Sequence, residues 1–280
     1  MILIADSGST KTDWTLSDNG KIVWNCKTGG INPYHQTQKE INDIINNELF
    51  SKLSENNNLS VTELFYYGAG CATAKRCSVI LDILSTYFEN TPILVESDML
   101  GTARALCQHN EGIACVLGTG SNSCLFDGEI IIDQIPPLGY ILGDEGSGAF
   151  LGKKLLVACL KRELPELLCS EFMTKYELTL EIVLDNVYNK PLANRFMAGF
   201  THFLVEHREI PEIKNLLKNS FTEFFRRNVM AYNRPWIPVH FTGSIAKIFQ
   251  SDLKQSANSL GIKTGTILQS PMEGLVKYHS

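Results

Sequence analysis

Residues 2–5 form an apolar run that ends at Asp6 and meets the small polar stretch Ser7-Gly8-Ser9-Thr10-Lys11-Thr12. Asp13-Trp14-Thr15-Leu16, the turn Asp18-Asn19-Gly20 and Ile22-Val23-Trp24 come next. This pattern predicts strand, Gly-rich turn, strand, tight hairpin, strand. Asn-Gly and Asp-Gly favour hairpins whose two central residues need positive φ. The same order returns at residue 113: an apolar run 113–117, the turn Gly118-Thr119-Gly120-Ser121-Asn122, Ser123-Cys124-Leu125-Phe126, the hairpin Asp127-Gly128 and Ile130-Ile131-Ile132.

The segments after the two meanders also correspond. After the first, residues 37–57 carry helical apolar spacing (Ile41, Ile44, Ile45, Leu49, Phe50, Leu53), 64–67 predict a strand, 75–88 a helix and 93–95 a strand. After the second, residues 147–233 are helical in pattern, broken at Pro165, Pro191 and Pro211. A strand at 237–241, a helix at 245–260, a strand at 264–268 and a helix after Pro271 complete the chain. The pattern predicts an α/β fold of two related domains, 1–109 and 110–280, the second with a helical insertion at about 147–233. A cleft between two such halves is where small-molecule sites tend to lie.

Two Gly-rich turns at equivalent places are the first candidate chemistry. Backbone N–H groups of small residues can approach phosphate oxygens closely, and Gly8, Ser9, Thr10 and Lys11 would add hydroxyl and ammonium donors. Gly118, Thr119 and Gly120 offer a second such turn, and two opposed hairpins could clamp one polyphosphate. Either could equally be an ordinary polar turn, and neither has the spacing of a Walker A loop. Asp6, at the end of its strand, could hold a hydrated Mg²⁺, a hard cation that keeps most of its waters. Asp98, between a strand and the helical pattern 99–108, is either a general base for a substrate hydroxyl or, like Ser97, a helix cap. Asp144, in Gly143-Asp144-Glu145-Gly146-Ser147-Gly148, could bind hydroxyls or cap the next helix. Gly243 and Ser244, in Phe241-Thr242-Gly243-Ser244-Ile245-Ala246, could let an adenine or ribose lie on the backbone, or Ser244 could serve as N-cap.

Composition narrows the classes. Hydrophobic residues at 44% and charged ones at 20% are ordinary globular usage, and a net charge of −5 gives no global attraction to nucleic acid or anionic membranes. The pairs Lys153-Lys154 and Arg226-Arg227 sit in helical patterns and read as solvated faces. Eight cysteines without CxxC spacing suit a reducing compartment, and no apolar stretch approaches the ~18 residues of a membrane span, so a cytoplasmic location is expected. The six histidines are dispersed and suggest no site.

Together the hairpin DSGSTKTD, Ser97-Asp98, LGTGSNS at 117–123, GDEGSG at 143–148 and FTGSIA at 241–246 resemble the N-acetylglucosamine kinase group. That group lies within the family that also holds the ATPase activators of benzoyl-CoA reductase and 2-hydroxyacyl-CoA dehydratase. The resemblance covers nearly the whole chain, in order. It implies a ribonuclease H-like duplicated fold of the actin and hexokinase superfamily, with two domains closing over ATP and Mg²⁺ and a small sugar as acceptor. By position, Thr10 and Thr119 would contact the phosphates, and Gly243 and Ser244 the adenosine. Asp98 matches the acid that activates the sugar hydroxyl. Asn32, Ser121, Asn122, Gly139 and Asp144 match sugar contacts. One segment departs from the pattern: Gln134-Ile135-Pro136-Pro137-Leu138-Gly139-Tyr140 stands where sugar kinases of the family carry a Gly-rich, Trp-containing loop. N-acetylglucosamine, glucosamine and other hexose derivatives are therefore all open as acceptors. A homodimer is compatible with the resemblance. The alternatives are an activator ATPase with a cysteine-held iron–sulfur cluster, for which Cys107 and Cys115 lie in a helix and a strand pattern, and a non-enzymatic sugar sensor, which would need neither Asp6 nor Asp98.

Overall fold

The computed structural model describes residues 1–55 and 59–280. The chain divides into two compact units, Met1–Asn110 with Asp127–Ile131 and Ser270–Ser280, and Glu111–Phe126 with Ile132–Gln269.

The first unit is built on β1 (Ile2–Ser7), β2 (Lys11–Asp18), β3 (Lys21–Gly29), β4 (Glu63–Gly68) and β5 (Ile93–Ser97), in the order β3-β2-β1-β4-β5. The first three form the antiparallel meander, and β4 pairs parallel with both β1 and β5. Asn19 and Gly20 take φ of 48° and 75° at the second turn, as an Asn-Gly hairpin requires. Alternate side chains feed opposite faces of the sheet. Leu3, Ala5 and Tyr66 enter a core with Trp14, Ile41, Ile80 and Leu84, whereas Ile4 and Tyr67 enter one with Ala105, Met272 and Leu275.

The helical stretch expected at 37–57 begins as α1 (Gln38–Ile44), widens into a π turn at Ile45–Phe50 and ends as α2 (Ser51–Ser54), while residues 56 and 57 of that expectation lie outside the described residues. Thr37 and Glu40 form a reciprocal capping box at its start. This unit also carries α3 (Ala74–Ser85) and α4 (Asp98–Cys107).

The second unit carries β6 (Gly112–Leu117), β7 (Ser121–Phe126), β8 (Ile131–Asp133), β9 (Val239–Thr242) and β10 (Thr264–Leu268), in the order β10-β9-β6-β7-β8. Counted from each sheet's own first strand and started at the meander edge, both orders read 3-2-1-4-5. The molecule is thus a duplicated ribonuclease H-like α/β fold. Between β8 and β9 lie α5 (Gly139–Leu142), α6 (Gly148–Leu160), α7 (Glu166–Lys175), α8 (Leu180–Leu184), α9 (Ala193–Ala198), α10 (Thr201–Glu206) and α11 (Pro211–Phe224). Pro165 and Pro211 stand at helix starts, where a missing N–H is harmless.

The single helix expected at 245–260 is two, α12 (Ser244–Ile248) and α13 (Gln250–Ser259), meeting at the fully buried Phe249. Ile113, Cys115 and Leu117 of β6 anchor the core of this unit together with Phe172, Phe203, Phe221 and Phe241.

The last helix, α14 (Met272–Tyr278), packs on α4, so closely that a Cβ on Gly274 would lie 2.3 Å from the carbonyl oxygen of Ala105. Among the described residues no helix is long and apolar enough to cross a membrane.

Candidate functional site

In the first unit the turn between β1 and β2 closes with the Gly8 N–H donating to the Lys11 carbonyl at 3.0 Å, leaving Ser9, Thr10 and Lys11 exposed at its tip. Lys11 itself reaches back to Asp13, Nζ to Oδ2 2.6 Å. The loop after β3 presses on the turn. A Cβ on Gly30 would fall 2.4 Å from the Ser9 carbonyl carbon and the Thr10 nitrogen, so only glycine lets the two backbones meet. Asn32 ties the same turn from its side chain: Nδ2 donates to the Ser9 hydroxyl at 2.8 Å, while Oδ1 accepts the Tyr34 N–H at 3.0 Å.

Asp6 stands opposite Asp13 in the β1–β2 register. Burial, then the charges of Asp13 and Asp98, push its carboxyl up to about 7, against a smaller opposing pull from Lys11. Asp98 is the first residue of α4, and the helix cap is Ser97, whose hydroxyl accepts the Leu100 N–H at 3.2 Å. One oxygen of Asp98, Oδ1, accepts the Met99 N–H at 2.9 Å. Although Asp98 is exposed at the surface, the surrounding protein displaces enough water to raise its carboxyl above the usual range, opposed by backbone N–H groups at the helix start.

The charge balance here fits a cation. Asp6 faces two further acids, and the nearby Lys11 is already paired with Asp13. Among the described residues no group of three or more His, Cys, Asp or Glu side chains is arranged to hold a metal ion unaided. A Mg²⁺ that keeps most of its waters needs only one carboxylate. Asp6 would hold it, and it would supply neutralising charge to phosphate oxygens.

In the second unit three separate segments converge on the turn between β6 and β7. The carboxylate of Asp144 accepts the Ser121 N–H at 3.1 Å and lies so near Gly120 that a Cβ there would stand 3.0 Å from Oδ2. Asp144 achieves this in the left-handed region, φ 59°, which Asp tolerates better than most residues. Burial, then Glu145, raises its carboxyl, while the Ser121 N–H and Lys153 oppose the shift. The first amides of α6 bond to the same turn, Gly148 N–H to Gly118 O at 2.8 Å and Ala149 N–H to Thr119 O at 3.1 Å. Ser147, not Asp144, caps that helix. Gly243, φ 114°, approaches from a third direction, where a Cβ would meet the Leu117 carbonyl oxygen at 2.3 Å. Ser244 is the first residue of α12 and gives no side-chain cap.

Three contributors are not apparent from the sequence. Lys153, expected on a solvated face, is half-buried and donates to the Tyr140 carbonyl at 2.9 Å, holding the short α5 that begins at Gly139. Glu145 is buried, with Arg227 at 3.2 Å on one oxygen and Asn228 at 3.2 Å on the other, so the Arg226-Arg227 pair is not merely solvated. Gln134 donates to Asn122. The carbonyls and carboxylates that engage these residues come from elsewhere in the chain, so only the unusual density of Gly around Asp144 hints at them.

No family model matches the chain, and no curated protein matches it. Solved structures do. A Porphyromonas gingivalis protein with the provisional name N-acetylglucosamine kinase is 47% identical at a TM-score of 0.94, the match covering 100% of this chain and 98% of that one. A Chromobacterium violaceum protein with the same provisional name shares 16% identity at a TM-score of 0.66, over 100% and 98%. A ROK family glucokinase from Streptomyces griseus, solved with glucose and AMPPNP, shares 14% at a TM-score of 0.60, over 99% and 97%. The last two show the fold alone. With 47% identity over its full length to the first, the chain belongs to the N-acetylglucosamine kinase group of the family that also holds the benzoyl-CoA reductase and 2-hydroxyacyl-CoA dehydratase activators.

Proposed function

We propose that the protein is an ATP- and Mg²⁺-dependent sugar kinase of the cytoplasm whose acceptor is an amino sugar such as N-acetylglucosamine or glucosamine. The observation that carries this reading is Asp98, an acid at the start of α4 with Oδ1 held by a backbone N–H and its carboxyl electrostatically coupled to Asp6. In the proposed reaction the acceptor hydroxyl gives its proton to Asp98 as its oxygen bonds to the γ-phosphorus, and the bond to ADP breaks. General-base help of this kind is worth about 10²–10⁴-fold, and the rest of phosphoryl transfer is positioning and charge stabilisation. Asp6 is assigned the metal. The turn residues Gly8, Ser9, Thr10 and Lys11, together with Gly118, Thr119 and Gly120, are assigned the phosphates, Lys11 giving up its pairing with Asp13. Gly243 and Ser244 are assigned the adenosine, and Asn32, Ser121, Asn122, Gly139 and Asp144 the sugar.

Cys107 and Cys115 are buried, at 4% and 0% exposure, which speaks against their holding an iron–sulfur cluster and hence against the activator reading. The test is ADP release over a panel of amino sugars and hexoses, with protein purified without oxygen. Turnover that rises strongly with one sugar, from a colourless preparation, is expected. Brown protein containing iron and sulfide, with ATP turnover indifferent to every sugar, would overturn the kinase in favour of the activator. Calorimetric titration is expected to show ATP binding much more tightly with Mg²⁺ than without.

A further inference from the structure

Asn122, on β7, has its side-chain oxygen engaged twice. Oδ1 accepts the backbone N–H of Ser123 at 2.8 Å and the side-chain amide N–H of Gln134 at 3.1 Å. A carbonyl oxygen has two lone pairs, and both are used. An Asn amide left alone can turn over and present either its oxygen or its NH₂. Here that turn would set N–H groups against N–H groups.

The segment that carries Gln134 is itself pinned to β7. Ser123 Oγ donates to the Asn228 carbonyl at 3.2 Å, so the Tyr232 hydroxyl must donate to Ser123 Oγ at 2.8 Å. The Tyr232 oxygen in turn accepts the Ile135 N–H at 3.1 Å. Gln134 is thus fixed through its neighbour's backbone to the residue that follows Asn122. It opens the very segment in which this chain departs from the family pattern.

We propose that Gln134 is a positioning residue that locks Asn122 with its NH₂ as the free end, so that this subsite reads a hydrogen-bond acceptor on the sugar. The acceptor is a hydroxyl lone pair or the carbonyl oxygen of an N-acyl group, and a protonated amine at the same place is disfavoured because it can only donate. This rests on the sugar kinase reading, in which Asn122 contacts the acceptor.

Gln134→Glu is nearly isosteric but sets a charged acceptor against Oδ1, which favours turning Asn122 over at the expense of its bond from the Ser123 N–H. The KM for the best acceptor sugar is expected to rise about ten-fold, the scale of one well-placed hydrogen bond. The kcat, the KM for ATP and the melting temperature should stay unchanged. Gln134→Leu, with neither donor nor charge, should give a smaller rise, and Gln134→Lys, which keeps a donor, should stay near wild type. An unchanged sugar KM in Gln134→Glu, or a loss shared by sugar KM, kcat and melting temperature in all three variants, would overturn the proposal while leaving the kinase intact. A wild-type protein that phosphorylates no sugar would instead sink the kinase reading, and this inference with it.

Discussion

Asn32 donates to the hydroxyl of Ser9 at 2.8 Å, and its other amide atom accepts the Tyr34 N–H. A residue expected to touch the sugar is therefore also a brace for the first phosphate turn. Gly70 packs against the same amide, where a Cβ would lie 2.4 Å from Oδ1. The proposed sugar contact and the proposed phosphate turn are mechanically joined at this one side chain.

Asn32→Ala should accordingly impair both substrates. Releasing the turn is expected to raise the KM for ATP several-fold along with that for the sugar, and to lower stability by about 1–2 kcal/mol for two lost hydrogen bonds. Steady-state kinetics with each substrate varied in turn check this. A change confined to the sugar KM would show that the brace is dispensable.

Asp98 and Ser97 allow the proposed catalytic role to be separated from capping. Asp98→Asn should lower kcat by roughly 10²–10⁴-fold, with little change in melting temperature, because Oδ1 can still accept the Met99 N–H. Ser97→Ala should do the reverse, destabilising by about 1 kcal/mol with modest kinetic effect. Near-wild-type turnover in a well-folded Asp98→Asn protein would remove Asp98 from the mechanism.

Tyr66 is fully buried beside β1, and its hydroxyl meets no hydrogen-bond partner. The nearby Ser7 hydroxyl is committed to Thr12 at 2.7 Å and to the Ile31 carbonyl at 3.4 Å. An unmade buried hydrogen bond is a liability, so Tyr66→Phe is expected to stabilise the protein by about 1 kcal/mol. Its ring contact with Trp14 would be kept. Urea denaturation measures the change, and a destabilised variant would mean that the hydroxyl is satisfied by the neighbouring Ser7 oxygen or by bound water.

His279 gives the fold a specific acid sensitivity. Tyr67 Oη accepts from Arg104 Nη1 at 3.0 Å and also hydrogen-bonds His279 Nε2 at 2.8 Å. Burial, then the charges of Arg104 and His109, lower the imidazole to about 4 from the usual 6.5. Between those values the unfolded chain binds a proton that the folded chain does not, so stability falls as pH drops from about 6.5 toward 4. Above 6.5 this contribution is complete. His279→Gln keeps an acceptor without the titration, and its stability difference from wild type should be flat above pH 6.5 and move in its favour below. Parallel pH curves for the two proteins would contradict this.

The parts legible in the sequence are those ruled by local geometry. Apolar runs ending in Gly-rich turns mark β1 and β6, and Asn19-Gly20 and Gly128 mark hairpins because few residues take positive φ. Asp98 is legible as an acid at a strand-to-helix junction, but not which of Ser97 and Asp98 caps, since both can. Harder still are features fixed by distant packing. The break at Phe249 interrupts an unbroken helical pattern because that ring is needed in the core. Lys153 looks like any surface lysine until Tyr140 offers it a carbonyl. Nothing local to residues 272–278 says which sheet their apolar side will cover.

That last helix sets a timetable for synthesis. Ile4 and Tyr67 are covered by Met272, Leu275 and Val276, yet about 160 residues separate Asn110 from Ser270. At roughly 5–20 residues per second, the part of this face of the first sheet that α4 leaves uncovered stays wet for on the order of 10 to 30 seconds while the ribosome makes the second unit. During that interval the nascent chain offers an unsealed apolar face to chaperones and proteases. Completion of this smaller core is therefore gated by the arrival of residue 276, and any slowing of translation in the second unit lengthens its exposure.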